Sequence, residues 1–339
     1  MKKILIWRNG SFGDTLIALP TIKEIIKTNK KCKIYYLTFL NEDTIFFEPK
    51  KLFDSFGIKL QYKIFYKNNF NFFKFLYFFF QNKFDKLYYL KESPINFLYN
   101  SDSSFLGIRV FLEKILIRLL FIKKITGLEY KSFLKVKLKS HYKKEYSSLF
   151  YRIFKKDLNE EMFLSSINNL FNSHNRKRKN IIICVGGKYS IKDWGINNWT
   201  KLIEKILKYK KNSKILLIGS GKNEKKYCEK INMNFNNKLE LFFDKPIKKL
   251  INKMLQAKLY LGHDTANMHL ASILKIRTVA IFSSTQLEGV WYPLGNGNLN
   301  FYKKISCSNC QLTELCPFNK KCINSFTPNF IFKKIRSLL

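Results

Sequence analysis

Asp264, Thr265 and His269 stand close enough in the chain to act on one ligand. They fall in Leu261-Gly-His-Asp-Thr-Ala-Asn-Met-His-Leu-Ala-Ser272, where an apolar run from Ala257 to Leu261 meets Gly262 and a helical pattern begins near Thr265. A strand that hands over to a helix leaves unpaired N–H groups at the helix start, and the helix dipole favours an anion there. Thr265 and His269 lie one turn apart and can face the same group. Ala266 adds a backbone amide. The chemistry implied is the holding of a negative charge, a phosphate before others. Asp264 has a second reading as the cap of its helix.

A second candidate centre is Asp14. Lys3-Ile-Leu-Ile-Trp7 reads as a short apolar strand, and Arg8-Asn-Gly-Ser-Phe-Gly-Asp14 as a glycine-bearing turn. Thr15 to Lys27 then carries the period of a helix, with Leu16, Leu19, Ile22 and Ile26 on one face. Gly13 would let backbone approach a ligand closely. Asp14 opens the helix at the carboxyl end of the first strand, where open α/β sheets bind their ligands. It reads equally as a capping carboxylate. Arg8 reads either as a substrate contact or as an ordinary surface arginine. The full G-x-G-x-x-G fingerprint is missing, which disfavours a nicotinamide oxidoreductase.

The elements around these residues form two series. Lys33 to Thr38 and Phe84 to Leu90 continue the first as strands. The chain turns polar and basic at Asn172-Ser-His-Asn-Arg-Lys-Arg-Lys-Asn180, the best boundary the sequence offers. A second series follows: strand Ile181 to Val185, helix Trp199 to Tyr209, strand Ile215 to Ile218, the turn Gly219-Ser-Gly221 with a helix after it, the strand ending at Leu261, the helix from Thr265, and strand Thr278 to Phe282. Strands alternating with helices predict parallel sheets. The expected organisation is α/β, with residues 1–172 and 180–325 as two Rossmann-like domains. A final helix within 326–339 would pack back on the first domain.

Bulk properties narrow the classes. A chain of 339 residues with 46% hydrophobic and 16% aromatic content can fill two cores. Its formal charge of +38 suits nucleic acid, anionic membrane or phosphorylated substrates. The lysines are scattered, however, and abundant Lys, Asn, Ile, Phe and Tyr suggest a codon bias. No local nucleic-acid signature appears, so a basic nucleic-acid-binding protein stands as the different-class alternative. Met1-Lys-Lys leads straight into a strand without a signal-peptide core. No window offers the roughly 20 apolar residues of a spanning helix. Phe70 to Phe80 is apolar but short, and Phe105 to Ile122 reads as a core helix or an interfacial one with basic flanks. The expected location is cytoplasmic, with contact at the inner membrane face as an open alternative. Cys307, Cys310, Cys316 and Cys322 are spaced closely enough for zinc; reduced thiols or a labile bridge are the alternatives.

Several motifs together resemble one family. Arg8-Asn-Gly-Ser-Phe-Gly-Asp-Thr-Leu-Ile-Ala-Leu-Pro20 resembles the opening motif of the lipopolysaccharide heptosyltransferases, glycosyltransferase family 9. Gly262-His-Asp-Thr-Ala-Asn-Met-His-Leu-Ala271 is similar to their Asp-Thr-Gly-x-x-His-Leu signature. Gly187-Lys-Tyr-Ser-Ile-Lys-Asp-Trp194 with Trp199 resembles the Lys-x-Trp segment, Thr278 to Thr285 the strand ending in Phe-Gly-Pro-Thr, and Ile125 to Phe133 a first-domain segment.

The resemblance implies the GT-B fold, two Rossmann-like domains facing a cleft, and an inverting, metal-independent transfer of a sugar, heptose from ADP-heptose first. The acceptor would be a lipid-linked lipopolysaccharide inner-core glycan. A family member using another nucleotide-sugar is the alternative within the class. On this likeness Asp14 is the catalytic base. Arg8, Gly13, Lys188, Lys192, Asp264, Thr265, Ala266 and His269 contact substrate, and no cofactor is needed. The chain departs from the family pattern at Ala266 (usually Gly), at Ser283 and Ser284 (Gly-Pro), at Gln286-Leu287 (Asp-Pro), at Gly187-Lys188 and at Lys91-Glu-Ser-Pro94.

Overall fold

A computed structural model describes residues 1–40, 48–67, 69–90, 122, 124–127, 144–172, 178–187 and 189–339. Lys188, the segment at 91–94, residues 105–121, residues 128–133 and most of the basic stretch at 173–177 lie outside the described residues. The chain forms two compact units, Met1–Asn159 and Glu160–Leu339.

In the first unit β1 (Lys3–Trp7) leads through α1 (Phe12–Thr28) to β2 (Lys33–Leu40), then α2 (Pro49–Ser55), β3 (Gln61–Tyr66), α3 (Phe72–Asn82), β4 (Lys86–Tyr89), β5 (Lys124–Thr126) and α4 (Glu145–Phe154). The sheet order is β3-β2-β1-β4-β5 and every described pairing is parallel. Four of the five residues of β1 are buried, as a strand covered on both faces requires. The chain steps outward from β1 to β3, then returns to the other side of β1 at β4. In open α/β sheets such a reversal, here at the carboxyl ends of β1 and β4, is where ligands bind. Aromatic rings fill the core beside it: Trp7 packs against Phe39, Phe75, Phe79 and Tyr89 at centroid distances of 5.3–6.1 Å.

The second unit repeats the plan. It comprises α5 (Glu160–Leu170), β6 (Asn180–Cys184), a 3₁₀ turn (Ser190–Lys192), α6 (Ile196–Tyr209), β7 (Ile215–Gly219), α7 (Gly221–Met233), β8 (Glu240–Phe243), α8 (Ile247–Met254), β9 (Ala257–His263), α9 (Ala266–Ile273), β10 (Arg277–Ile281), β11 (Leu299–Phe301), α10 (Lys321–Asn324) and α11 (Pro328–Ile335). The order is β11-β10-β9-β6-β7-β8, parallel throughout. Its reversal point lies between β6 and β9.

Three findings differ from the sequence expectation. The compact units divide ahead of α5, not at 172–180. Phe163, Leu164 and Ile167 of α5 are buried, and Glu160 Oε2 accepts the Gly295 N–H at 2.8 Å, tying the helix to the second unit. The helix expected to pack back on the first domain sets Ile331 and Ile335 in the core of the second unit, against α6. Strand β9 runs on to His263, two positions past the expected end at Leu261. Gly262 lies within that strand, where a Cβ would meet the Tyr260 hydroxyl at 2.6 Å and the Cys184 carbonyl at 3.0 Å. Among the described residues no helix is long and apolar enough to cross a membrane.

Candidate functional site

In the first unit the turn after β1 is held from both sides. The Arg8 N–H bonds to the Leu37 carbonyl, and the Leu90 N–H to the Trp7 carbonyl, so the chain leaves the sheet at a fixed angle. Arg8 is 1% exposed. Its Nη1 donates to the Leu90 carbonyl at 2.6 Å and its Nη2 lies 3.8 Å from Asp14 Oδ1. The surface-arginine reading is therefore corrected: Arg8 is a buried cation behind Asp14. Ser11 caps α1, with Asp14 in the third helical position. Asp14 Oδ2 accepts both the Ser11 N–H, at 2.6 Å, and the Ser11 hydroxyl, at 2.9 Å. The capping reading of Asp14 holds, and its side chain still reaches the surface at 19% exposure. Gly13 sits inside the first turn of α1. The glycine this turn demands is Gly10, at φ +141°, where a Cβ would lie 2.5 Å from that of Asp14.

In the second unit the residues predicted to bind an anion come together at the carboxyl ends of β6 and β9. Lys192 ends the 3₁₀ turn and its Nζ donates to Asp264 Oδ2 at 2.5 Å; the two side chains are 17% and 10% exposed. Thr265 is the N-cap of α9, but its side chain makes no cap hydrogen bond. The Met268 and His269 N–H groups close on the Thr265 carbonyl, so the amides of Ala266 and Asn267 are the forward donors of the helix. Gly187 passes close by: a Cβ there would meet the Thr265 methyl at 3.3 Å. His269 lies in α9 as predicted and is buried at 3% exposure. A shallow concavity beside Asp264 is lined by Ser283, Gln286, Trp291, Tyr292 and Tyr302 among others.

Behind Lys192 stands a support that motif spacing did not disclose. The Trp194 N–H donates to His263 Nε2 at 3.2 Å, and the Trp194 indole N–H to the Phe326 carbonyl at 2.7 Å. Trp199 sets its ring edge-on to His263, 5.3 Å between centroids. Burial lowers the His263 pKa to about 4, with the Asp193 carboxylate and a Gly186 backbone hydrogen bond opposing and the nearby Lys192 and Lys320 reinforcing. Neutral at ordinary pH, His263 keeps an acceptor nitrogen for Trp194. Asp193 Oδ1 accepts from the Gly195 N–H at 2.9 Å and the Tyr227 hydroxyl at 2.6 Å. Lys192 is thus gripped on its C-terminal side while its ammonium faces Asp264. Under Thr265, the Tyr260 hydroxyl lies 3.4 Å from Oγ1. The sequence placed His263 past the strand end at Leu261, whereas β9 carries it as its last residue.

Residues 120–321, more than half of the chain, match glycosyltransferase family 9 (heptosyltransferase). The chain belongs to this family. Lipooligosaccharide heptosyltransferase 2 of Campylobacter jejuni serotype O:6 is 28% identical over 155 residues, 44% of this chain and 48% of the relative. That of serotype O:2 is 28% identical over 156 residues. The chain spans about half the length of the curated relatives it matches. Among solved structures, E. coli heptosyltransferase WaaC with ADP aligns over 99% of this chain and 100% of its own, at 12% identity and TM-score 0.66. A family 9 glycosyltransferase from Veillonella parvula aligns over 99% and 97%, at 14% identity and TM-score 0.67. These likenesses show the fold: paired Rossmann-like parallel sheets of the GT-B type, as the motifs implied.

Ala266, Ser283 and Gln286, where the sequence departs from the family pattern, stand at the turn before α9 or in the concavity just described. Of the four clustered cysteines, Cys307, Cys310 and Cys316 are half-buried and Cys322 is buried; all are free thiols. Among the described residues no three His, Cys, Asp or Glu side chains are grouped to hold a metal ion, so the zinc alternative finds no ligand set there.

Proposed function

We propose that the chain transfers heptose from ADP-heptose to a hydroxyl of a lipid-linked lipopolysaccharide inner-core glycan, inverting the anomeric centre without a metal. The observation that carries this reading is the Lys192–Asp264 pair, fixed by His263 and Trp194 beside the open amides of α9 in a family 9 chain. Two structures of WaaC similar in fold to this chain hold ADP and an ADP-2-deoxy-2-fluoro heptose.

The leaving group is a nucleoside diphosphate, whose charge grows as the sugar bond breaks. Lys192 and the Ala266 and Asn267 amides supply positive charge in fixed positions, which is where electrostatic catalysis has most effect. Asp264 holds Lys192 until the diphosphate competes for it. Asp14 takes the proton from the acceptor hydroxyl, and Arg8, 3.8 Å behind it, orients it. A single in-line attack by the acceptor hydroxyl inverts the centre. Lys188, Gly13, Thr265 and His269 are proposed as further donor contacts. The protein works in the cytoplasm at the inner membrane face, with no specific nucleic acid as partner.

A thermal-shift screen of nucleotide-sugars tests the donor, since a ligand that binds only the folded state raises stability by mass action. ADP-heptose should raise the melting temperature more than UDP- or GDP-sugars at equal concentration. A larger shift with another nucleotide-sugar would reassign the donor, and a matching shift with oligonucleotides alone would favour the nucleic-acid-binding reading.

A further inference from the structure

Helix α3 has two apolar faces. Its inner face is spent on the core: Phe75, Phe78 and Phe79 are 2–8% exposed. Its outer face carries Phe73, Tyr77 and Phe80 at the i, i+4, i+7 spacing of one stripe, 80%, 63% and 66% exposed, with Phe72 beside them. Phe70 and Tyr66, just ahead of the helix, are 41% and 45% exposed. Rings this exposed cost solubility and contribute nothing to the core, so their placement calls for a partner.

The charge around the stripe selects one. From Gln61 to Phe84 the sequence has no Asp or Glu, while Lys67, Lys74 and Lys83 are exposed along it. Asp85 closes the stretch, and its carboxylate is taken by the Lys3 N–H at 2.9 Å. A second copy of this chain would bring the same lysines against these, between bodies that each carry +38. An anionic bilayer surface meets both demands at once. Phenyl and phenol rings settle at headgroup depth, and lysines gain from the negative surface potential. At eleven residues the helix is far too short to span. It fits a helix lying in the interface plane.

We infer that the outer face of α3 is a membrane-docking surface that inserts Phe73, Tyr77 and Phe80 among anionic lipid headgroups. It rests on the proposed function only in that a lipid-linked acceptor makes a membrane the expected partner. Docking by this face would hold the first unit against the leaflet and shorten the search for an acceptor that diffuses in two dimensions.

The experiment is co-sedimentation of the full chain with vesicles of mixed phosphatidylglycerol and phosphatidylcholine, set against phosphatidylcholine alone. The unmodified chain should bind the anionic vesicles and weaken as salt shortens the reach of the lysines. The triple substitution Phe73→Ser, Tyr77→Ser, Phe80→Ser should lower that binding about tenfold or more, because interfacial binding follows the apolar area inserted. Its melting temperature and its ADP-heptose affinity should stay unchanged, since these side chains lie outside both core and site. A chain that ignores anionic vesicles, or a triple variant that binds them as before, overturns the inference. So does a self-association that the triple variant abolishes in the absence of vesicle binding, which would make a second copy the occupant. Vesicle binding with no ADP-heptose binding would instead count against the enzyme reading and leave the docking surface standing.

Discussion

Replacing Lys192 by Ala separates two roles that the structure gives one ammonium. Its Nζ lies 2.5 Å from Asp264 Oδ2, with the side chains 17% and 10% exposed. At an effective dielectric near 20 such a pair gains roughly 6–7 kcal/mol of gross attraction, most of it offset by desolvation. Removing one partner of a buried pair typically costs about 3–5 kcal/mol, and the residual exposure here brings the expected loss to about 2–3. The second role is the bond to the donor's diphosphate. A hydrogen bond between charged groups contributes about 1.5–3 kcal/mol, which is about 10- to 150-fold in Kd. Urea unfolding would report the first loss and calorimetric titration with ADP, well below the melting temperature, the second. The double variant Lys192→Ala with Asp264→Asn discriminates between them. It should recover much of the stability, since no buried carboxylate is left alone, while ADP affinity stays low. Unchanged ADP affinity in the single variant would refute the reasoning. Recovery of affinity together with stability in the double variant would reduce Lys192 to a structural lysine.

Two further outcomes follow from the supports. His263, lowered to about 4 by burial, stays neutral in the folded state while the unfolded chain takes a proton below about 6.5. Stability from this group is therefore complete above pH 6.5 and lost as pH falls toward 4, by about 3 kcal/mol in all. An NMR titration of the four histidines should find one that holds neutral to about pH 4; midpoints all near 6.5 would contradict the burial argument. Gly10→Ala forces a side chain into a left-handed φ and against Asp14, at about 1–3 kcal/mol. Turnover should fall further than stability does, and a variant that melts lower but turns over normally would show that the turn does not position Asp14.

Much of this fold is legible in the sequence because the buried strands are short apolar runs set between helical periods. Ile181 to Cys184 and Ile215 to Ile218 announce themselves this way. The edge strand Gln61–Tyr66 does not, because its half-exposed face mixes Lys63 with aromatics and dilutes the pattern. The basic stretch at 172–180 marks a change of composition, whereas the compact unit begins at Glu160, whose carboxylate and the neighbouring Leu164 side chain meet Gly295. In the site, Asp264, Thr265 and Lys192 were recognisable as motif residues. His263 and Asp193 were not, because their work is to hold Lys192 through contacts that span some seventy and thirty-four positions of the chain. Arg8 was left open between a substrate contact and a surface residue in a sequence with 62 basic side chains, since nothing in local spacing says which arginine the sheet will bury.

The central claim is that Asp14 removes the acceptor proton in the transfer. Asp14→Asn keeps the Ser11 bonds in reach and removes the base. Calorimetry with ADP-heptose and a discontinuous transfer assay on the same preparation should give donor affinity within about twofold of the unmodified chain and turnover reduced at least about 100-fold, the lower end for loss of a positioned general base. Turnover that survives the substitution would contradict the assignment outright, and so would a loss of donor affinity large enough to account for the whole fall in rate.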